Sequence, residues 1–210
     1  MTLSLNEIEA TAKRAARGAG YPWGLAEEAG KATRWLCSRD VDGCGALAEL
    51  LKQFDGKDIE GRLPQTEGAP WTAQCGMLCP LATGAAISDF AHEIGASGVQ
   101  METVAAPVLL VPFAALLAHE FEKPVIVTIG DCALSTDGER MSITGSLPRS
   151  SNWASISIGG TIDQPGKILE RADPGPNDWA ALLAFAHRTY APATEESRLK
   201  GAGADLPDND

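Results

Sequence analysis

VIVTIGDCALSTDGERMSITG, residues 125–145, is the stretch on which the fold class turns. VIVTIGD is dense in β-branched residues. CALSTDGERMSITG then carries Asp137-Gly138, a dipeptide that tolerates the positive φ of a tight turn, so this region reads as a hairpin. A third β-rich segment, WASISIGGTI, starts at Trp153. Strands this close together, with no helix-length segment between them, predict antiparallel pairing.

Helical patterns surround this β region on both sides. PVLLVPFAALLAHEFEK, from Pro107, predicts a buried helix with a bend near Pro112. METVA reads as a short strand, and Thr83–Ile94, TGAAISDFAHEI, as a further helix. Downstream, Asp178–Tyr190 predicts a helix that turns Trp179, Leu182, Leu183 and Ala186 inward.

The first third of the chain reads as helical throughout. Ser4 and Glu7 form a capping box, with Ile8, Ala12, Ala15 and Ala19 on one face of the helix they open. That helix ends at Gly18-Ala19-Gly20. A second helix is expected from Leu25 to Cys37, with Ala26, Ala29, Thr33 and Leu36 inward and a Glu27–Lys31 pair outward. A third spans Gly45–Phe54. The expected fold is therefore α+β: an N-terminal helical unit followed by a mostly antiparallel sheet covered by helices. Residues 1–210 are expected to form one domain, comprising the helical unit (1–54), a connecting loop (55–73), the α+β core (74–190) and a polar acidic tail (191–210). The tail reads as a disordered end.

Composition excludes several roles. A net charge of −11 and a pI near 4.7 repel nucleic-acid backbones and anionic membranes, so neither is an expected partner. Lys13, Arg14 and Arg17, the longest basic grouping, read as one solvated helix face. The longest apolar run, Val104–Ala118, contains two prolines and falls short of the roughly 20 residues that a spanning helix needs. The N-terminus MTLSLNEIEA lacks the basic start and apolar core of an export signal, so a cytoplasmic location is expected. Small-residue helices and tryptophans such as Trp23 and Trp71, read as exposed, suit a homo-oligomer or a protein partner.

Candidate chemistry centres on cysteine. Five cysteines in a chain without an export signal argue for reduced thiols. In CGMLC, Cys75 and Cys79 are spaced as i and i+4, which on a helix would place both on one buried face. The spacing is not the C-x-x-C of a metal knuckle. Cys37 and Cys44, which would have to supply the other two ligands, do not have it either, so no metal is assigned. The alternative is a reactive thiol at Cys79, aided by the amide dipoles of a helix beginning near Thr83. His92 would then be the nearest base in sequence, and Asp131 a carboxylate at a strand end. His92, His119 and His187 each fall near the end of an expected helix, where a structural role suffices. GAGYPWG lacks the lysine of a phosphate loop and GAGADLP precedes no helix, so no cofactor is assigned.

Two resemblances follow from these residues. LSLNEIEATAKRAARGAGYPWGLAEEAGKATRWL, residues 3–36, together with FAHRTYAPATEESRLKGAGADLPDND, residues 185–210, resembles an uncharacterised proteobacterial family of unknown function. That implies a soluble bacterial protein and no particular activity. The first 54 residues also resemble the N-terminal helices of the malate/L-lactate dehydrogenases that lie outside the Rossmann type. There a G-x-x-S-H-G motif supplies a catalytic histidine. In DVDGCGAL, Gly43 and Cys44 stand where serine and histidine would be, so that histidine is missing. The expected function is that of a soluble accessory or small-ligand-binding protein in bacterial small-molecule metabolism. The alternatives are an enzyme using Cys79, His92 and Asp131, or a divergent relative of the NAD(P)-dependent dehydrogenases.

Overall fold

The computed structural model describes residues 2–190, so the expectation for the tail, 191–210, lies outside the described residues. A two-residue strand, β1 (Leu3–Ser4), leads into helix α1 (Leu5–Gly18), and the Ser4 hydroxyl accepts the Glu7 amide at 3.2 Å. Ile8, Thr11, Ala12, Ala15 and Ala16 make the buried stripe. Helices α2 (Trp23–Cys37) and α3 (Gly43–Phe54) each start two residues earlier than the apolar pattern suggests. For α3 the cause is Asp42, whose carboxylate accepts the Gly45 amide at 2.8 Å and so makes Gly43 the first helical residue.

The basic face of α1 is more engaged than a solvated stripe would be. Lys13 reaches Glu27 at 2.5 Å, Arg17 lies 4.6 Å from the Trp23 ring centroid, and Arg14 donates to the Tyr190 hydroxyl at 2.9 Å. Glu27 is thus taken by α1, and Lys31 pairs with Glu28 instead.

The helix expected at Thr83–Ile94 is two helices, α4 (Pro80–Asp89) and α5 (Ala91–Ser97). Pro80, preorganised for a first helical turn, starts α4 three residues early. Phe90 leaves the helical region at φ −100° and ψ 26°, its ring edge-on to Trp71 with centroids 5.9 Å apart. The METVA strand extends to seven residues, β2 (Val99–Ala105). A 3-10 turn over Pro107–Leu110 then feeds α6 (Val111–Phe121), with Pro112 in its first turn, where a missing N–H is harmless.

Four strands complete the main sheet: β3 (Val125–Ile129), β4 (Cys132–Thr136), β5 (Met141–Thr144) and β6 (Ser150–Ile158). The order is β2-β6-β3-β4-β5 and each of these pairings is antiparallel. A short strand, β7 (Arg171–Ala172), pairs with β1, and helix α7 (Pro176–His187) packs on α1 and α3. Leu183, expected inward on α7, is exposed, while Trp179, Leu182, Phe185 and Ala186 are buried. The α+β assignment therefore holds.

One apolar cluster runs from Leu3 to Ala186. Val125, Val127, Ile129, Leu134, Ala154 and Ile156 are fully buried, and α6 packs on β3 and β4. Ile143 and Trp153 remain exposed, Trp153 from a position of β6 next to buried Ala154.

The stretch expected as a connecting loop is partly structured. It contains a 3-10 turn at Glu60–Arg62, and beyond it the chain covers the outer edge of β2. Trp71 donates to the Gln100 carbonyl at 2.7 Å and accepts from the Glu102 amide at 3.0 Å. Leu78 donates to Thr103 at 2.9 Å and accepts from Ala105 at 3.2 Å. An edge strand that would otherwise present unpaired amides is thereby closed. This pairing explains why Trp71, expected exposed, is 6% exposed, whereas Trp23 is 64% exposed. Among the described residues no helix is long and apolar enough to cross a membrane.

The Asp137-Gly138 signal does join β4 to β5. Asp137 accepts the amides of Glu139 and Arg140 at 3.1 and 2.7 Å and the Arg140 guanidinium at 2.8 Å, while Gly138 takes φ +100°. Burial alone would raise the carboxyl's pKa, but the Arg140 and Glu139 amides and the Arg140 charge outweigh it, and the net shift is downward. Because the folded value lies below the unfolded one, the stabilisation is complete above about pH 4 and is lost as pH falls through the folded value. Asp137→Asn should therefore lower the urea midpoint at neutral pH and leave a smaller deficit in strong acid, as measured by denaturation across that range.

Candidate functional site at the turn between the second and third helices

CGMLC is not helical. Gly76 sits at φ +77°, the segment contains the second pairing point on β2, Leu78, and Cys79 is the N-cap of α4. The buried pair expected at Cys75 and Cys79 is therefore overturned: Cys75 is exposed and Cys79 is fully buried. The Cys75 sulfur accepts from the Arg62 guanidinium at 3.2 Å, and that guanidinium lies 4.3 Å from the Phe54 ring centroid. The Cys79 sulfur lies 3.6 Å from the Tyr21 hydroxyl.

Helix α4 does aim amides at Cys79, from Leu81 and Ala82. Burial nevertheless dominates and pushes the thiol up, with the Ala82 amide and the Tyr21 hydroxyl offsetting it only in part. In native protein a soluble alkylating reagent should label Cys75 first and Cys79 only on unfolding, which peptide mass mapping reads directly.

His92 is the second residue of α5, its ring edge-on to Phe121 with centroids 6.1 Å apart. Because the helix breaks at Phe90, this histidine stands at a helix start and not at an end. Asp131 is exposed in the two-residue turn between β3 and β4, its carbonyl against Gly145. Among the described residues, no hydrogen bond or ring contact joins any two of Cys79, His92 and Asp131. Each is held by a different part of the fold.

A different constellation forms where α2 passes into α3. Asp40 takes the left-handed conformation at φ +59°, which lets the Val41 amide return to the Leu36 carbonyl at 3.1 Å and closes α2. Gly43 then brings the start of α3 against the end of α2. A Cβ at that position would lie 2.7 Å from the Thr33 carbonyl, 2.9 Å from the Leu36 Cβ and 3.3 Å from the Cys37 sulfur. Only glycine allows this approach.

The approach brings two buried thiols together, with the Cys37 and Cys44 sulfurs 3.8 Å apart. The Cys44 thiol and the backbone amides of Cys44 and Gly43 are directed at Cys37 and hold its thiol below the ordinary range against the opposing effect of burial. Cys44 is pushed up, first by its hydrogen bond to Cys37 and then by burial. The two thiols share one hydrogen bond in which either sulfur can be the donor, and the Gly43 and Cys44 amides favour the charged form at Cys37.

Cys37 also lines a cleft of about 390 Å³ between this turn and the approach to α7. The far wall is held by β7 on β1, by the Leu169 amide donating to the Ser38 carbonyl at 2.8 Å, and by Arg171, which donates to the Thr2 carbonyl at 2.9 Å. Asp40, Asp42, Asp173 and Arg171 are the charged residues among those that line it, the Asp42 carboxylate also capping α3. The arrangement can hold a small polar molecule beside an ionisable thiol. Among the described residues no cluster of His, Cys, Asp and Glu has the geometry to hold a metal ion.

This site was hard to see in the sequence, because Cys37 and Cys44 match no familiar spacing. The available signal was Gly43 in DVDGCG: a glycine at a helix start, where a side chain would normally be tolerated, indicates close approach by another backbone.

A family model described as a protein of unknown function (DUF3726) matches residues 3–88. No curated protein and no solved structure matches. The matched stretch includes Cys37, Asp40 and Cys44 but not the Leu169–Gly175 wall of the cleft. Over residues 3–88, then, the chain is similar to an uncharacterised family.

Proposed function

We propose that the protein is a non-catalytic accessory protein that binds a small polar ligand in the cleft between the α2–α3 turn and the β7–α7 segment. The observation that carries this reading is the cleft itself. Its volume of about 390 Å³ falls within the range of small-molecule sites, and a few convergent polar groups line it. The charged residues that line it, Asp40, Asp42, Asp173 and Arg171, carry a net negative charge, which favours a ligand that is cationic or rich in hydrogen-bond donors, with Asp40 as the residue tested. A reducing, cytosolic setting is supported by the five free cysteines.

Calorimetric titration with putrescine, alongside a diol of the same carbon length, tests this reading. Binding of the diamine and not of the diol is expected, weakened about tenfold in Asp40→Asn, equivalent to ~1.4 kcal/mol. Equal heats for the two compounds, or an unchanged affinity in the variant, would contradict it.

A further inference from the structure

We propose that Cys37 and Cys44 form a redox-active dithiol, oxidised to an intramolecular disulfide by a small hydroperoxide that enters through the cleft. Three structural observations converge on this pair. The sulfurs are 3.8 Å apart, in contact but unbonded. Cys37 stands on the wall of the cleft, whereas Cys44 is completely buried behind it. Gly43 is the close-approach residue that places them so, its α-carbon hydrogen occupying the space in which a side chain would press on the Cys37 sulfur.

This arrangement gives each thiol a distinct role. Cys37 is the attacking sulfur, because it lines the cleft through which an oxidant arrives while Cys44 is fully buried, and the first amides of α3 face it. Cys44 is the resolving sulfur. It lacks its own route to solvent and can react only with Cys37. Cys75 is in a different situation, since it is exposed and bonded to Arg62, and Cys79 lies against Tyr21. Among the described residues, neither is hydrogen-bonded to a second cysteine.

The chemistry balances with a hydroperoxide as the only oxidant. The Cys37 thiolate attacks one oxygen of hydrogen peroxide, an S–O bond forms and the O–O bond breaks. The departing hydroxide takes up the proton that Cys37 has lost, giving water and a sulfenic acid. The Cys44 sulfur then attacks the Cys37 sulfur, the S–S bond forms and the S–O bond breaks. The second hydroxide leaves as water with the Cys44 proton. Two thiols are oxidised by two electrons and one peroxide is reduced to two waters. To bond, the sulfurs must close from 3.8 Å to about 2.05 Å. The disulfide would tie the end of α2 to the start of α3, and a dithiol reductant would reopen it.

The experiment uses the full chain carrying Cys75→Ser, which removes the exposed competing thiol. Native protein is treated with hydrogen peroxide at neutral pH, quenched, alkylated under denaturing conditions and digested. The expected result is a Cys37–Cys44 linkage that lacks the mass of two hydrogens, is reversed by dithiothreitol, and forms at least tenfold faster than oxidation of Cys79 or Cys132, the buried thiols that serve as internal references. Adding Cys44→Ser should leave a Cys37 sulfenic acid that a dione probe traps. The proposal is overturned if Cys37 and Cys44 remain alkylatable when Cys79 and Cys132 begin to oxidise, or if Cys37 proceeds to sulfinic acid without a disulfide. This outcome is independent of ligand binding, so the diamine titration and the oxidation can fail separately.

Discussion

Gly18→Ala should lower the stability of the protein by roughly 3 kcal/mol, at the upper end of what overpacking normally costs. Gly18 is the last residue of α1. A Cβ there would fall 1.8 Å from the Phe185 carbonyl oxygen and 2.7 Å from its carbon, both backbone atoms of α7. Rotamer change cannot relieve a clash with backbone, so α7 must move off α1. Trp179, Leu182, Phe185 and Ala186 are the buried residues of α7 and lose packing together when it does. Gly24→Ala is the matched control: it sits in the first turn of α2 with nothing within 4 Å of its would-be Cβ. That change should raise stability by about 0.5–1 kcal/mol through reduced backbone entropy. Urea midpoints compare the two, and a neutral or stabilising Gly18→Ala would contradict the α1–α7 contact.

The second large effect is expected at Gly84, in α4. Helix propensity alone predicts that alanine stabilises this position by about 1 kcal/mol. Packing predicts the opposite, because the added Cβ would stand 2.2 Å from Cδ2 and 2.3 Å from Cε2 of Phe113 on α6. Phe113 is among the largest fully buried side chains, and its ring is confined. Overpacking of about 3 kcal/mol outweighs the propensity gain, so a net loss near 2 kcal/mol is expected. Trimming the ring should change the sign of the coupling: Gly84→Ala with Phe113→Leu should cost less than the two single changes added together. Strict additivity in a denaturation cycle would show that Gly84 does not face Phe113.

These two glycines show what kind of information the sequence carries. The capping box at Ser4, the apolar stripe of α1, the Asp137-Gly138 turn and the β-rich run at 125–145 are local signals, and each produced the element it implies. Gly18 also had a local reading, as part of a helix-ending Gly-Ala-Gly. Gly20 does take φ +98°, but Gly18 is small because of α7, more than 150 residues further along the chain. The same limit hid the position of β6 between β2 and β3, which is set by pairing across the whole sheet. It also hid the burial of Trp71, which depends on the edge of β2.

The site was less legible than the fold. CGMLC drew attention because its cysteines are close in sequence, yet the turn at Gly76 sends Cys75 outward and Cys79 inward. Cys37 and Cys44 are further apart in sequence and closer in space, because a left-handed Asp40 and a glycine at the start of α3 fold one helix end onto the next. Spacing reports the distance along the chain, while the turn conformation fixes the distance between sulfurs.

Amide chemical-shift mapping during titration with putrescine is the measurement that locates ligand binding at the proposed cleft beside Cys37. Saturable shifts are expected at residues 37–45 and 169–175, the two walls of the cleft. Shifts spread over acidic surface elsewhere, or none at these walls, would contradict it.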